Sequence, residues 1–154
     1  MKKTLSLFII ILLLTSCNNP KNISNNVTNT SNNEVKENNI MDKITVTIND
    51  KDYYLHLENN KTTEEFIKLL PSTFNMSELN GNEKYIYLDT TLPTNAQVPT
   101  EIIKGDVMLY GNNCLVVFYK SFKTNYSYTK IGHIDNLPDL PDLDNSNINI
   151  SFKV

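Results

Sequence analysis

The densest group of aromatic and charged side chains lies in the stretch FYKSFKTNYSYTKIGHID, residues 118–135. It holds five aromatic side chains, three lysines and one of the two histidines of the chain. Tyrosine has an apolar face and a polar tip, which suits the recognition of small ligands or peptides. The same residues would also suit the packed strands of an ordinary β-barrel. The pattern therefore leaves a binding role and a packing role open.

The candidate ligand-binding residues are aromatic or polar side chains in and around this stretch. They are Tyr85, Tyr110, Asn112, Tyr119, Phe122, Tyr126, Tyr128 and His133. Successive side chains of a strand point to opposite faces, so Tyr126 and Tyr128 share one face while His133 lies on the other. The stretch therefore cannot form one continuous aromatic wall. A cavity shared by these two tyrosines with Tyr85 and Asn112 would favour binding, whereas rings inside the barrel would favour packing.

The sequence contains few signs of catalytic or metal-binding chemistry. Cys114 opens an apolar run, where a lone cysteine is most often a small buried hydrophobe. The acidic run from Asp135 to Asp144 could offer oxygen ligands to calcium, but its spacing is not that of an EF-hand loop, which favours a solvated acidic loop. No cluster of Cys and His has metal-ligand spacing, and the chain has only four Gly. We predict no catalytic residue, no metal and no cofactor.

Residues 1–16 have the organisation of a bacterial lipoprotein signal peptide. Lys2 and Lys3 precede an apolar core at residues 5–14, which is too short to span a membrane on its own. The ending Leu14-Thr-Ser-Cys17 resembles a lipobox, in which the cysteine is acylated and becomes the first mature residue. It predicts a lipid such as palmitate on Cys17 and a location on the non-cytoplasmic side of a bacterial membrane. A secreted protein with an incidental cysteine is the alternative.

The rest of the chain divides into a tether and one domain. Ten of the 22 residues in 18–39 are Asn and only three are Ile or Val, so residues 17–39 are predicted to be a lipid-anchored disordered tether. Residues 40–154 are long enough for one domain with one core. From Met41 onward there are ten Lys and fifteen Asp plus Glu, a formal net charge of −5. This balance argues against nucleic acid as a partner.

Alternating apolar and polar residues predict a mainly β domain. Residues 44–48 and 53–57 flank a polar turn and read as a β-hairpin. The apolar runs 106–110 and 114–119 predict strands that are buried on both faces, for example by a barrel core inside and a helix outside. Further strands are predicted at 84–88, 126–134 and 147–154. We count about eight strands and one or two short helices, which indicates a closed barrel or a strongly curled sheet.

One helix has a clear start signal. Thr62-Thr-Glu-Glu65 matches a capping box, in which the hydroxyl and the carboxylate bind first-turn N–H groups. Pro71 marks the end, because the residue before a proline disfavours helical geometry. The predicted helix runs from about Thr63 to Leu70.

Three motifs in a fixed order connect the chain to a known family. They are Asn80-Gly-Asn-Glu-Lys-Tyr85, Gly105-Asp-Val-Met-Leu-Tyr-Gly111 and the aromatic stretch 118–135. Over nearly all of residues 43–154 the chain resembles the bacterial cyclophilin-like domain family. The resemblance implies a small closed eight-stranded barrel with one or two short helices.

The resemblance raises the question of prolyl isomerase activity. True cyclophilins isomerise X–Pro bonds, whose uncatalysed barrier is about 18–20 kcal/mol, and place an arginine near the proline nitrogen. This chain has no Arg and no Trp, and Lys84 could offer a charge there but not a planar fork of donors. We expect a non-catalytic small-ligand or peptide-binding module of the cell envelope. A structural or protein-interaction module without a pocket and a weak isomerase are the alternatives.

Overall fold

The computed structural model describes residues 41–139 and 146–154. The elements in chain order are β1 (Lys43–Ile48), β2 (Lys51–Leu57), α1 (Lys61–Ile67), β3 (Ser72–Leu79), β4 (Glu83–Tyr87), β5 (Asp106–Tyr110), β6 (Cys114–Phe118), β7 (Tyr128–Ile134) and β8 (Ile148–Lys153). The strands form a closed barrel in the order β1-β2-β7-β5-β6-β4-β3-β8, and every neighbouring pair is antiparallel. The predicted closed eight-stranded barrel is confirmed. The predicted signal peptide, Cys17, the tether and the end of the acidic run lie outside the described residues.

The first two strands form the predicted hairpin. Ile44, Val46 and Ile48 alternate inward along β1 and are almost fully buried. Asn49 and Asp50 connect the strands with φ angles of 47° and 59°. A two-residue type I′ hairpin turn requires positive φ at both positions, and Asn and Asp tolerate that conformation better than most residues.

Two apolar clusters lie on opposite sides of β5 and β6. Leu109, Leu115 and Val117 belong to the large inner core that fills the barrel. The alternate residues of the same strands belong to an outer core, which consists of Ile102, Met108, Cys114, Val116, Phe118 and Tyr128. The continuous apolar runs therefore correspond to strands buried on both faces, as predicted.

No helix covers the outer core in the described part of the chain, although a helix was the example given for burial of this face. Two loop segments cover it instead, with Ile102 and Phe122 packed on the sheet. Each of these residues donates its backbone N–H to the carbonyl of the other, at 2.9 and 3.1 Å. These hydrogen bonds pair the loops as a short bridge, so no helix is needed to bury this face.

The helix starts and ends earlier than predicted. Asn60 is its N-cap, and its Oδ1 accepts the backbone N–H of Thr63 at 3.0 Å. Thr62, predicted to be the cap, donates its hydroxyl to the carbonyl of Pro93 at 2.6 Å. Asparagine caps a helix at least as well as threonine, so the capping-box interpretation was wrong. Phe66 anchors α1 in the inner core, 5.5 Å from the ring centroid of Phe152.

The pairing of β7 contains an irregularity that the sequence did not indicate. Its register with β5 shifts between Val107 and Met108. Ile131 and Ile134 are three residues apart, yet both lie in the inner core, which strict alternation forbids. A β-bulge adds one residue and reverses the faces beyond it, so His133 lies on the same outer face of β7 as Tyr128. The prediction that His133 lies on the face opposite to Tyr128 was therefore wrong. Among the described residues, no helix is long and apolar enough to cross a membrane.

Candidate ligand-binding trough

The outer face of three strands forms a trough with a floor of small side chains. Cys114 and Val116 of β6 lie in its middle. Cys114 is paired with Tyr87 of β4 on one side and with Tyr110 of β5 on the other. These two tyrosines are therefore two strand spacings apart, about 10 Å at the backbone. The small floor and the flanking rings create a cleft of about 960 Å³.

The rings around the floor form two separate groups. Tyr85 and Tyr87 on β4 contact each other edge to face at 5.9 Å between ring centroids. On the opposite side, Tyr110 contacts Tyr126 at 6.0 Å and Tyr128 at 5.5 Å. Tyr87 and Tyr126 are 63% and 65% exposed, so ring faces remain accessible to a ligand. We call this site, with Cys114 and Val116 as floor and the five tyrosines as flanks, the tyrosine trough.

A buried carboxyl group lies beside Tyr85, two residues along β4. Glu83 lines the trough and is 8% exposed. Within residues 41–139 and 146–154, no hydrogen bond or ion pair reaches its carboxylate. Burial, and then the negative charge of Glu78, raise the pKa of Glu83 to about 7. Glu83 thus carries a partial charge at neutral pH without a protein partner to balance it.

A second acceptor without a partner lies next to it. Asn82 also lines the trough, and its buried Oδ1 has no hydrogen-bond donor in the described part of the chain. Buried polar atoms are nearly always hydrogen-bonded in native proteins. The unpartnered Asn82 oxygen, next to the Glu83 carboxylate, therefore marks this end of the trough as chemically incomplete.

The adjacent cation cannot complete it, because Lys84 points to the barrel interior. Its Nζ is 2.8 Å from Glu78 Oε2 and 2.8 Å from the carbonyl oxygen of Ser146, and the residue is fully buried. The Tyr119 hydroxyl donates to the same Glu78 oxygen at 2.7 Å. The charge of Lys84 is therefore compensated on the inner side of β4, and it does not offer a charge in the trough.

Cys114 is unsuited to nucleophilic chemistry. Its thiol is free and buried in the floor. Burial, and then the charge of Glu83, raise its pKa to about 11. The thiolate is the reactive form, so this environment suppresses reactivity and agrees with an apolar role for the side chain.

Of the candidate residues, the structure brings five together. Tyr85, Tyr110, Phe122, Tyr126 and Tyr128 all line the trough. The other three lie elsewhere. Tyr119 is buried in the inner core and bound to Glu78, and Asn112 is in the exposed β5–β6 turn.

His133 lies apart from the trough. Its Nδ1 is 3.0 Å from Asp106 Oδ1, and Lys130 Nζ is 3.2 Å from the same atom. Asp106 Oδ2 accepts the backbone N–H of Ile103 at 2.9 Å. These contacts hold the loop before β5 in place. The role of His133 in them is structural.

The predicted set of residues lacks four that matter in the trough, namely Asn82, Glu83, Tyr87 and Lys123. Glu83, Tyr85 and Tyr87 are two residues apart along β4, so their side chains point to the same face of the strand. This alternation is visible in the sequence. Lys123 lines the trough from an exposed loop position, which strand periodicity cannot place.

Within the described residues, no three His, Cys, Asp or Glu side chains are grouped so that they could hold a metal ion. Asp135 is instead 2.8 Å from His56 Nε2. Asp139 accepts from Lys104 at 2.8 Å, and this hydrogen bond and the lysine charge lower the pKa of Asp139.

The fold and the trough define a class of small closed β-barrels that carry an aromatic cleft on the outer face. Comparison with known protein families matches residues 46–153 to the cyclophilin-like family. The chain therefore belongs to that family. Searches of curated proteins and of solved structures found no significant match.

Proposed function

We propose that the protein is a lipid-anchored, non-catalytic ligand-binding module of the bacterial cell envelope, and that the tyrosine trough is its binding site. The observation that carries the proposal is the trough itself. Its volume of about 960 Å³ falls in the range of small-molecule sites, about 300–1,000 Å³. It combines aromatic surface with a few polar groups, the composition that such sites use for affinity and orientation.

The exposure of the rings supports binding over packing. A tyrosine that serves only the core is buried, as Tyr119 is at 4% exposure. Tyr87 and Tyr126 instead remain mostly exposed beside a cleft. A protein-interaction module is the second candidate, because the same exposed rings could pack against a partner protein.

Two features support a non-catalytic role. The chain has no arginine, and Lys84 is held on the other side of β4 by Glu78. The raised pKa of Cys114 disfavours a thiolate nucleophile. Among the described residues, the cation that lines the trough is Lys123, which is exposed and lacks the planar fork of donors that an arginine offers.

The anchor has its own test. In Cys17→Ala we expect the protein to leave the membrane fraction and to lose incorporation of a palmitate analogue. Cys114→Ala removes the other cysteine and serves as the matched control, which should remain lipidated and membrane-bound. Membrane retention of Cys17→Ala would contradict the proposed anchor.

Binding is tested by native mass spectrometry of the full chain purified from membranes. We expect a retained small molecule in the natural protein and its loss from a Tyr85→Ala/Tyr126→Ala double variant. Tyr54→Ala removes a tyrosine that is 56% exposed on β2, away from the trough, and should keep the ligand. No retained molecule, together with no hit in a screen of small molecules and peptides, would favour the interaction module.

A further inference from the structure

The acceptor groups that line the tyrosine trough restrict the chemistry of its ligand, provided that the trough is the binding site proposed above. Oδ1 of Asn82 is a buried acceptor without a donor in the described residues, and the neighbouring Glu83 carboxylate has no hydrogen bond or ion pair within them. Both line the trough together with the tyrosine rings. A molecule that completes this site must therefore bring hydrogen-bond donors, and preferably a positive charge.

We propose that the tyrosine trough binds a small organic ammonium ion whose N–H groups donate to Glu83 and Asn82 and whose hydrocarbon part lies between the tyrosine rings. A charge-assisted hydrogen bond to a buried carboxylate is stronger than a neutral one. The negative faces of tyrosine rings also attract cations within about 6 Å. A primary or secondary ammonium uses both interactions, whereas a quaternary ammonium has no N–H to donate.

The charges of the protein near the site support a cation. Lys84 is the nearest lysine in sequence, but its ion pair with Glu78 lies on the inner side of β4. Lys123 is the lysine among the residues that line the trough, and it is exposed. The deep carboxylate is therefore the group that a ligand meets at the buried end, while the lysine repels a cation weakly from the rim through solvent.

Binding of an ammonium ion should depend on pH through Glu83. The ammonium stays protonated between pH 6 and 8, but Glu83, with a pKa raised to about 7, takes up a proton as the pH falls. The other titratable groups that face it are Glu78, Lys123, Cys114 and the trough tyrosines. The pKa values of Cys114 and Tyr128 are raised to about 11 and 12, so both stay neutral in this range. Affinity for the amine should therefore fall from pH 8 to pH 6.

The test uses para-fluorophenethylamine as the probe, with the full chain in detergent at pH 8 and fluorine NMR to follow binding. The matched probes are the neutral para-fluorophenethyl alcohol and the trimethylammonium analogue of the amine. We expect the amine to bind about tenfold or more tightly than either, the discrimination that a charge-assisted hydrogen bond supplies. Equal affinity for the amine and the alcohol, or tighter binding of the trimethylammonium probe, would overturn the inference.

Variants assign the effect to the trough. Glu83→Gln should remove the preference for the amine over the alcohol, and Lys123→Gln should raise amine affinity about twofold, as expected for a screened surface charge. Glu101→Gln is the control for Glu83→Gln, because it also removes one carboxylate, at an exposed position outside the trough. It should leave binding unchanged. Amine binding that survives Glu83→Gln would also overturn the inference.

The outcomes also separate this inference from the proposed function. If the amine and the alcohol bind equally and both are lost in the Tyr85→Ala/Tyr126→Ala double variant, the trough binds ligands but does not select cations. If no probe binds and no ligand is retained after purification, both the inference and the proposed function are wrong.

Discussion

Replacement of Glu83 by glutamine isolates the cost of burying a carboxylate in the tyrosine trough. The folded protein raises the pKa of this group from the ordinary value of 4.5 to about 7, through burial and the charge of Glu78. The fold therefore binds the Glu83 proton more tightly than the unfolded chain does. Between these two pKa values the natural protein loses stability as the pH rises, and above pH 7 the loss is complete. Glutamine has a similar shape and does not ionise.

The magnitude follows from the two pKa values. Each pH unit of difference corresponds to about 1.4 kcal/mol, so the cost at pH 8 is about 3 kcal/mol and that at pH 5.5 about 1 kcal/mol. The stability of Glu83→Gln relative to the natural protein should therefore increase by about 2 kcal/mol from pH 5.5 to pH 8. The other titratable groups are the same in both proteins, so their contributions cancel in the difference.

The assay is urea unfolding of the full chain at both pH values, followed by far-ultraviolet circular dichroism. Equal slopes in urea are required, so that the midpoints report stability. Glu101→Gln provides the control, because its exposed carboxylate should give the same difference at both pH values. A gap between Glu83→Gln and the natural protein that stays constant or narrows as the pH rises would refute the reasoning.

Three further predictions concern the barrel and the proposed non-catalytic role. Lys84→Met leaves the partly buried Glu78 without its cation and should reduce the free energy of unfolding by about 3–5 kcal/mol. A second change, Glu78→Gln, should recover much of the loss, and simple additivity of the two changes in urea unfolding would contradict the ion pair. In Gly132→Ala the new Cβ would lie 2.2 Å from the carbonyl oxygen of His56, so we expect a loss of about 1–3 kcal/mol by the same measurement, and an unchanged midpoint would disprove the close approach. In a protease-coupled assay with a proline peptide we expect the uncatalysed rate, and turnover above it would contradict the non-catalytic proposal.

The parts of the fold that could be predicted are those whose side chains alternate or cluster. The hairpin of β1 and β2, the apolar strands β5 and β6, and the terminal strand β8 are each visible as a pattern. Strand β3 was not predicted, because most of its side chains are partly or fully exposed and only Met76 is fully buried. Its position depends on its pairing with β8 and β4, which no local pattern encodes.

The candidate site was predictable in composition but not in its chemistry. Tyr85, Tyr110 and Tyr128 could be selected because they are aromatic residues in and around the stretch where aromatic side chains are densest. Alternation along β4 places Glu83 on the face of Tyr85, but its importance comes from the lack of a partner among the described residues, which no sequence pattern shows. His133 was misplaced because the bulge in β7 changes the faces of the strand, and bulges leave no clear signal in a single sequence.

The most direct test of the account is a crystal structure of the protein with para-fluorophenethylamine at pH 8. We predict that the probe lies in the tyrosine trough, with its ring between the tyrosines and its nitrogen within about 3 Å of the Glu83 carboxylate. A probe with its nitrogen in solvent and Glu83 uncontacted would contradict the central claim, as would a trough that stays empty at saturating amine.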